Sequence, residues 1–252
     1  MLNIVVPMAG RGSRFSKKGY ADPKPLIPLG DKRMIEVVIN NLKPKCEHRF
    51  TFICQQEHLD KYNYKQELLR MAPGCEIIGI NGITEGAACT VMCSEHLINN
   101  DEPLMIANSD QWVDIDINDY LDCMQSKNLD GLIMTMKADD PKWSFAKIND
   151  AGYVTDVIEK KVVSDEATVG IYNYKKGSDF CRHVKTMIER NELSNGEFYV
   201  APVYTYMYEL DNAKIGIYNV GSEANGMYGL GTPTDLDFFK SCEHIFKKAV
   251  SF

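Results

Sequence analysis

Four short apolar runs in the first half of the chain, Asn3–Met8, Phe50–Cys54, Cys75–Ile80 and Leu104–Ala107, alternate with stretches whose apolar residues recur at helical spacing. Runs this short, rich in β-branched and aliphatic residues, read as strands buried on both faces. Between the first two, Arg33–Leu42 sets Met34, Ile35, Val38, Ile39 and Leu42 on one helical face, with Asp31 placed to cap it. Leu59–Met71 reads as an amphipathic helix stopped by Pro73-Gly74, and Ala87–Leu97 and Ile117–Gln125 as further helices before a fifth strand at Gly131–Lys137. Strand and helix in alternation predict an α/β fold with a mostly parallel central sheet and helices on both faces.

Beyond Asp139 the pattern changes. Phe145–Ile148, Val154–Glu159, Ala167–Tyr174 and Ala213–Val220 read as strands joined by turns, a smaller antiparallel elaboration, with a helix at Ser178–Asn191. Gly231-Thr-Pro-Thr-Asp235 opens the last helix, with Thr232 as cap, Pro233 at the first position and Asp235 at the third. Its apolar face is Leu236, Phe239, Cys242, Ile245 and Phe246. With no internal repeat or long linker, the expectation is one domain, 1–252, with halves at 1–138 and 139–252.

The formal net charge of −7 argues against a non-specific nucleic-acid binder. Its distribution says more. Residues 1–33 hold seven cations (Arg11, Arg14, Lys17, Lys18, Lys24, Lys32 and Arg33) against two acids, so all the net negative charge lies in the rest of the chain. A focused basic patch on an acidic protein suits a small polyanion. The eight cysteines are scattered without a CxxC pair, which fits reduced thiols. No charged leader precedes an apolar segment, and no apolar stretch reaches membrane-spanning length, so a cytoplasmic protein is expected.

The basic patch surrounds a glycine loop. Ala9-Gly10-Arg11-Gly12-Ser13-Arg14 follows the first strand directly. It is not a dinucleotide fingerprint, because Phe15 stands where the third glycine belongs, and it has no GK[ST]. The same physics applies: glycines let backbone N–H groups approach phosphate oxygens, and Arg14 can fork onto them. In Pro23-Lys24-Pro25 two prolines stiffen the chain around one lysine, making it a positioned point charge. Ligands in such folds sit beyond the carboxyl ends of the strands, where Asn108-Ser109-Asp110 also emerges.

A strand, then A-G-x-G-S-R, then P-K-P-L-x-P-L resembles the nucleotidyltransferases (pyrophosphorylases) that activate sugar phosphates. The form Pro7-Met-Ala-Gly-Arg-Gly-Ser-Arg-Phe15 in particular resembles bacterial capsule-biosynthesis members, often labelled family 2 glycosyltransferase-like. The resemblance implies a Rossmann-like, three-layer fold shared with GT-A glycosyltransferases. It implies transfer of NMP from an NTP to a phosphorylated sugar, polyol or similar small alcohol phosphate, with release of pyrophosphate, for capsule or surface polysaccharide precursors. By the same resemblance, 1–138 is the nucleotide-binding half and 139–252 the acceptor-binding half. Ala9, Gly10, Arg11, Gly12 and Ser13 wrap the triphosphate, and Arg14 and Lys24 neutralise it. Asn81, Gly86 and Ala87 lie where the base is read, a small-residue loop compatible with CTP or UTP. Asp110 holds Mg²⁺. Glu159 and Lys160 hold the acceptor's sugar and phosphate, with Gly170 and Glu197 on the same side. The partners expected are an NTP and a small phosphorylated acceptor, not nucleic acid or membrane, and a homo-oligomer is compatible with the sequence.

Two departures stand out. Members of that family commonly carry Trp-x-Asp-x-Gly-Thr-Pro late in the chain, with the Asp as second metal ligand; here Gly229 takes its place in Met227-Tyr-Gly-Leu-Gly-Thr-Pro233. Either phosphates and water complete the site or another acid, such as Glu223, reaches it. The acceptor-side Tyr-Gly is replaced by Phe145-Ala146. Two alternatives stay open: a GT-A glycosyltransferase using Asp114-Ile-Asp116 as its D-x-D, and a non-catalytic nucleotide-binding regulatory protein.

Overall fold

The computed structural model describes residues 1–252. β1 (Leu2–Pro7) runs into the glycine loop and a single helical turn, α1 (Ser13–Ser16). A small hairpin follows, β2 (Pro28–Leu29) and β3 (Lys32–Arg33), turning through Gly30 at φ +65°. That turn takes Asp31, which is exposed and caps nothing. α2 (Met34–Leu42) instead begins after Arg33, whose N–H donates to the Glu36 carboxylate at 3.4 Å.

β4 (His48–Gln55) leads into two helices where one was expected, α3 (Gln56–Lys61) and α4 (Tyr64–Met71). Tyr62 between them is extended, and the break lets Tyr64 turn fully into the core, its hydroxyl against Met8. After β5 (Glu76–Ile80), α5 (Ala87–Met92) and α6 (Glu95–Ile98) divide at buried Ser94, whose hydroxyl donates to the Val91 carbonyl at 2.6 Å and competes with the helix ladder. β6 (Leu104–Ala107), β7 (Gln111–Val113), α7 (Ile117–Ser126) and β8 (Gly131–Lys137) complete the first half.

The second half contributes β9 (Ser144–Ile148), β10 (Val154–Glu159), β11 (Glu166–Tyr174), α8 (Gly177–Glu189), α9 (Val203–Asp211), β12 (Ile215–Glu223) and β13 (Gly226–Gly229). The chain ends with α10 (Pro233–Ser241) and α11 (Glu243–Val250), broken at Cys242 where one helix was expected. Thr232 caps α10 by accepting the Asp235 N–H at 3.1 Å.

β5, β4, β1 and β6 are parallel neighbours, and β8, β12 and β13 form a second parallel set. β11 runs antiparallel between β6 and β8 and joins the two sets into one sheet. The antiparallel elaboration is therefore not a simple edge addition: β9 and β10 branch from β11, but β11 itself is central. Alternate residues of each strand feed two cores on opposite faces. Ile4, Val6, Phe50 and Phe52 pack on one side, and Val5, Ile53 and Ile106 on the other. No helix is long and apolar enough to cross a membrane.

Candidate active site at the strand ends

Every loop at the carboxyl ends of β1, β4, β5 and β6 opens on one edge of the sheet. After β1, Gly12 takes a left-handed φ of +60° and starts α1. A Cβ at Gly12 would lie 3.3 Å from the Lys24 Cβ, so the glycine lets the two loops pack together. Lys24 begins a one-turn 3₁₀ helix, Lys24–Leu26, between Pro23 and Pro25. Arg33 braces that turn by donating to the Leu26 carbonyl at 3.0 Å. Lys24 Nζ thereby reaches Asp110 Oδ2 at 2.8 Å, across 86 residues of sequence. Arg11 and Arg14 are exposed and pair with no carboxylate, which leaves both cations free for an anionic ligand.

A cleft of about 240 Å³ lies between these loops, lined in part by Ala9, Gly10, Gln55, Thr84, Gly86, Ala87 and Asn108. Gln55, which sequence reasoning missed, ties its walls together by donating to the carbonyls of Ala9 and Gly82. Asn81 is exposed and does not line the cleft, although Ile80 and Gly82 on either side of it do.

Gly86 has a structural reason for being glycine. Its φ is +138°, and a Cβ there would strike the Phe198 backbone, 2.4 Å from the carbonyl oxygen and 2.6 Å from the nitrogen. Phe198 N–H donates to the Glu85 carbonyl at 2.8 Å, and its own carbonyl accepts from Ala88 N–H at 3.0 Å. This junction brings Glu197 over to line the first cleft, where the sequence placed it with the acceptor side.

A second pocket of about 270 Å³ adjoins the first, and Ala87 and Asn108 line both. Trp143, Ser144, Glu159, Lys160, Gly170 and Tyr199 form part of its wall. Gly170, at φ +84°, backs onto Asn108: a Cβ would lie 2.1 Å from the Asn108 amide nitrogen. The half-buried Glu159 carboxylate accepts the Ser144 hydroxyl at 2.6 Å. Burial pushes its pKa up, opposed by the Ser144 hydrogen bond and the Lys160 charge. Lys160 sits at φ +55°, an uncommon conformation for a non-glycine residue, and donates to the Tyr199 hydroxyl at 3.3 Å. That bond raises its pKa, so the ammonium stays charged. Phe145 and Ala146 are fully buried; Trp143 and Ser144 just before them face the pocket instead. Phe198 and Tyr172 both belong to the core, and Tyr172 also lines the pocket.

Asp110 offers a hard oxygen donor, and a cation, the Lys24 ammonium, already rests on it. Gly231 packs closely behind, where a Cβ would lie 2.9 Å from the carboxylate. The Asp110 carboxylate, close to the glycine loop, is the kind of hard donor that would suit Mg²⁺, which needs few protein ligands. Asp114 and Asp116 have other partners. Asp114 pairs with Lys248, while Asp116 caps α7 by accepting Asn118 N–H at 2.9 Å and faces Lys45 at 3.7 Å. Neither lines either pocket, and of the residues predicted for the triphosphate and metal only Ala9 and Gly10 do; Arg11, Arg14, Lys24 and Asp110 lie outside both linings. Glu223 is held by Lys142 at 3.0 Å.

The family model described as nucleotidyl transferase matches residues 4–197. The mannose-1-phosphate guanylyltransferase catalytic subunit beta of Dictyostelium discoideum is 24% identical over 183 residues, 68% of this chain. The chain spans about half, 49%, of that relative's length. A nucleoside-diphosphate-sugar pyrophosphorylase from Vibrio cholerae RC9 superposes with a TM-score of 0.77 at 22% identity, over 94% of this chain and 98% of its own. A UDP-glucose pyrophosphorylase solved with UDP-glucose gives a TM-score of 0.73 at 17% identity, over 98% and 99% of the two chains. These two likenesses show the fold: an α/β architecture with a mixed, mostly parallel central sheet.

Proposed function

The chain belongs to the nucleotidyl transferase family, and from that premise we propose that it joins a nucleoside monophosphate, taken from an NTP, to a small phosphorylated acceptor and releases pyrophosphate. The observation that carries this reading is the adjacency of the two pockets. One is lined by Ala9 and Gly10 at the head of the glycine loop, the other holds Lys160 and Glu159, and they meet at Ala87 and Asn108. Two anionic substrates brought end to end is what a phosphoryl transfer between phosphates requires. Residues 1–138 form the nucleotide half in this reading and 139–252 the acceptor half.

The attacking group is a phosphomonoester oxygen. Its second pKa, near ~6, leaves it mostly ionised at neutral pH, so no general base is needed. None of the polar groups described around the two pockets is a histidine. The work left to the protein is alignment and charge neutralisation. Backbone N–H groups of Ala9 to Ser13 cradle the triphosphate while Arg14 and Lys24 balance its charge. Lys160 holds the acceptor phosphate, and Glu159 accepts a hydrogen bond from the acceptor's body. Asp110 is the protein ligand for Mg²⁺, which when bound neutralises phosphate oxygens and polarises the α-phosphorus. In this reading Lys24 Nζ, which rests on Asp110 at 2.8 Å, would turn toward the phosphates when the nucleotide binds.

The small wall at Gly86-Ala87 supports a pyrimidine base, CTP or UTP, and the acceptor proposed is a sugar, polyol or other small alcohol phosphate. A cytoplasmic role in supplying capsule or surface polysaccharide precursors follows the sequence resemblance. The reading is tested by ³¹P NMR of the protein with an NTP, Mg²⁺ and candidate acceptors. A new pair of coupled diphosphate resonances growing with free pyrophosphate supports it. Hydrolysis of a supplied nucleotide sugar, with no reaction from NTP, supports a glycosyltransferase instead.

A further inference from the structure

We infer that the acceptor is a zwitterion, a phosphate monoester whose far end carries a protonated amine, and that Glu159 receives this amine in the pocket walled by Trp143 and Tyr199. The inference deepens the proposed function and rests on its reading of the second pocket as the acceptor side.

Charge carries the argument. A pocket that holds a phosphate calls for surplus positive charge, and this one has none to spare. Of the two lysines that line it, Lys142 is neutralised by Glu223, whose carboxylate oxygens lie 3.0 and 3.1 Å from its Nζ. Lys160 is left as the one free cation of the wall. Against it stands the half-buried Glu159 carboxylate, which is met by the Ser144 hydroxyl at 2.6 Å and by no cationic side chain. Burial pushes the Glu159 pKa up, and the charge of Glu197 nearby adds to that. Two carboxylates and one ammonium leave the surroundings one charge negative. That opposes a dianionic phosphate unless the same molecule brings a positive charge of its own.

The walls suit an ammonium as well. Trp143 and Tyr199 each have a lysine over the ring, Lys142 Nζ at 4.9 Å from the Trp143 centroid and Lys160 Nζ at 5.6 Å from that of Tyr199. Such rings attract cations through the negative face of the π-system. On the other side of Glu159 the acidic character continues into a recess of about 470 Å³, where Asp156, Glu192 and Glu209 join it and no lysine or arginine lines the wall. Arg190 rests on the Tyr206 ring at 5.6 Å and stays out of that wall. A neutral hydroxyl could donate to Glu159 but would leave the excess of negative charge unbalanced.

The test is isothermal titration calorimetry of the full chain with Mg²⁺ and the α,β-methylene analogue of CTP or UTP, which cannot transfer. Acceptors are offered as matched pairs, O-phosphoethanolamine against glycerol 3-phosphate and glucosamine 1-phosphate against glucose 1-phosphate. In at least one pair the amine should bind about tenfold more tightly than its neutral partner, the size of one partly desolvated cation–π contact. The pair that shows it tells an amino alcohol from an amino sugar. Glu159→Gln should abolish the preference, whereas Lys160→Ala should weaken both members of the pair alike. Neutral phosphates bound as tightly as the amines in both pairs would overturn the amine and leave the acceptor pocket standing. No binding by any of these phosphates would overturn the acceptor reading with it.

Discussion

The two pockets share Ala87 and Asn108 yet are built by different means. The first is made from loops that follow buried parallel strands, each within a few residues of the apolar run that positions it. Small residues, Ala9, Gly10, Gly82, Gly86 and Ala87, make much of its wall, with the polar side chains of Gln55, Thr84, Asn108 and Glu197 among them. The second is made from side chains, Trp143, Glu159, Lys160 and Tyr199, delivered by β9, β10 and the segment before α9. A strand end with glycines can cradle any triphosphate; a wall of side chains must match one particular partner. Under the proposed reading, the general part of the chemistry falls to the first region and the specific part to the second.

The largest effect expected is on the triphosphate side. Lys24→Ala or Arg14→Ala should lower kcat about 10²–10³-fold, the usual loss for a group that stabilises transition-state charge. Steady-state kinetics should show little change in KM for the acceptor. Values within a few-fold of wild type would erase the distinction between the regions. Glu159→Gln should act from the other side, raising KM for the acceptor about tenfold to a hundredfold through loss of a charged hydrogen bond. The nucleotide KM should stay unchanged, and a parallel rise in both would show that the pockets do not divide the work.

Gly86→Ala addresses the junction. A side chain there collides with the Phe198 backbone at a φ that disfavours it. The cost, about 1–3 kcal/mol, should lower Tm by roughly 3–10 °C at this chain length, with KM for both substrates raised together. An unchanged Tm would contradict the tight contact.

The smallest effect is a pH signature of Glu159. Its pKa is raised, chiefly by burial. As pH falls toward that value the carboxylate protonates, so acceptor kcat/KM should decline earlier than an ordinary carboxylate would produce; in Glu159→Gln this contribution should vanish. Stability runs the other way. A raised folded pKa stabilises below the unfolded value and loses that contribution as pH rises through the folded one. The wild-type Tm, relative to Glu159→Gln, should therefore be highest on the acid side.

The contrast also governs what could be read from the sequence. The strands Leu104–Ala107, Gly131–Lys137 and Val154–Glu159 have the boundaries their apolar patterns predict. The Thr232 cap was equally legible, because capping is a local contact. Helix breaks at Tyr62, Ser94 and Cys242 were not, since tertiary packing and side-chain competition interrupt sound helical periods. The helix Val203–Asp211 went unread, as did the insertion of β11 between β6 and β8, which no local pattern encodes. At the site, the glycine loop, Lys24 and Asp110 announced themselves by position after strands. Gln55 and Ser144 did not, because their roles exist only once distant segments meet. Glu197 was placed on the acceptor side for the same reason, before the Gly86–Phe198 junction was visible.

The measurement that bears most directly on the proposed activity is pyrophosphate release with Mg²⁺. It should be run for ATP, GTP, CTP, UTP and dTTP against a panel of sugar, polyol and small-alcohol phosphates, with Asp110→Asn as blank. The expected result is release for one nucleotide with one acceptor, abolished in the variant. Nucleotide binding without release across the whole panel would contradict a transferase and point to a chain that binds nucleotide without turning it over.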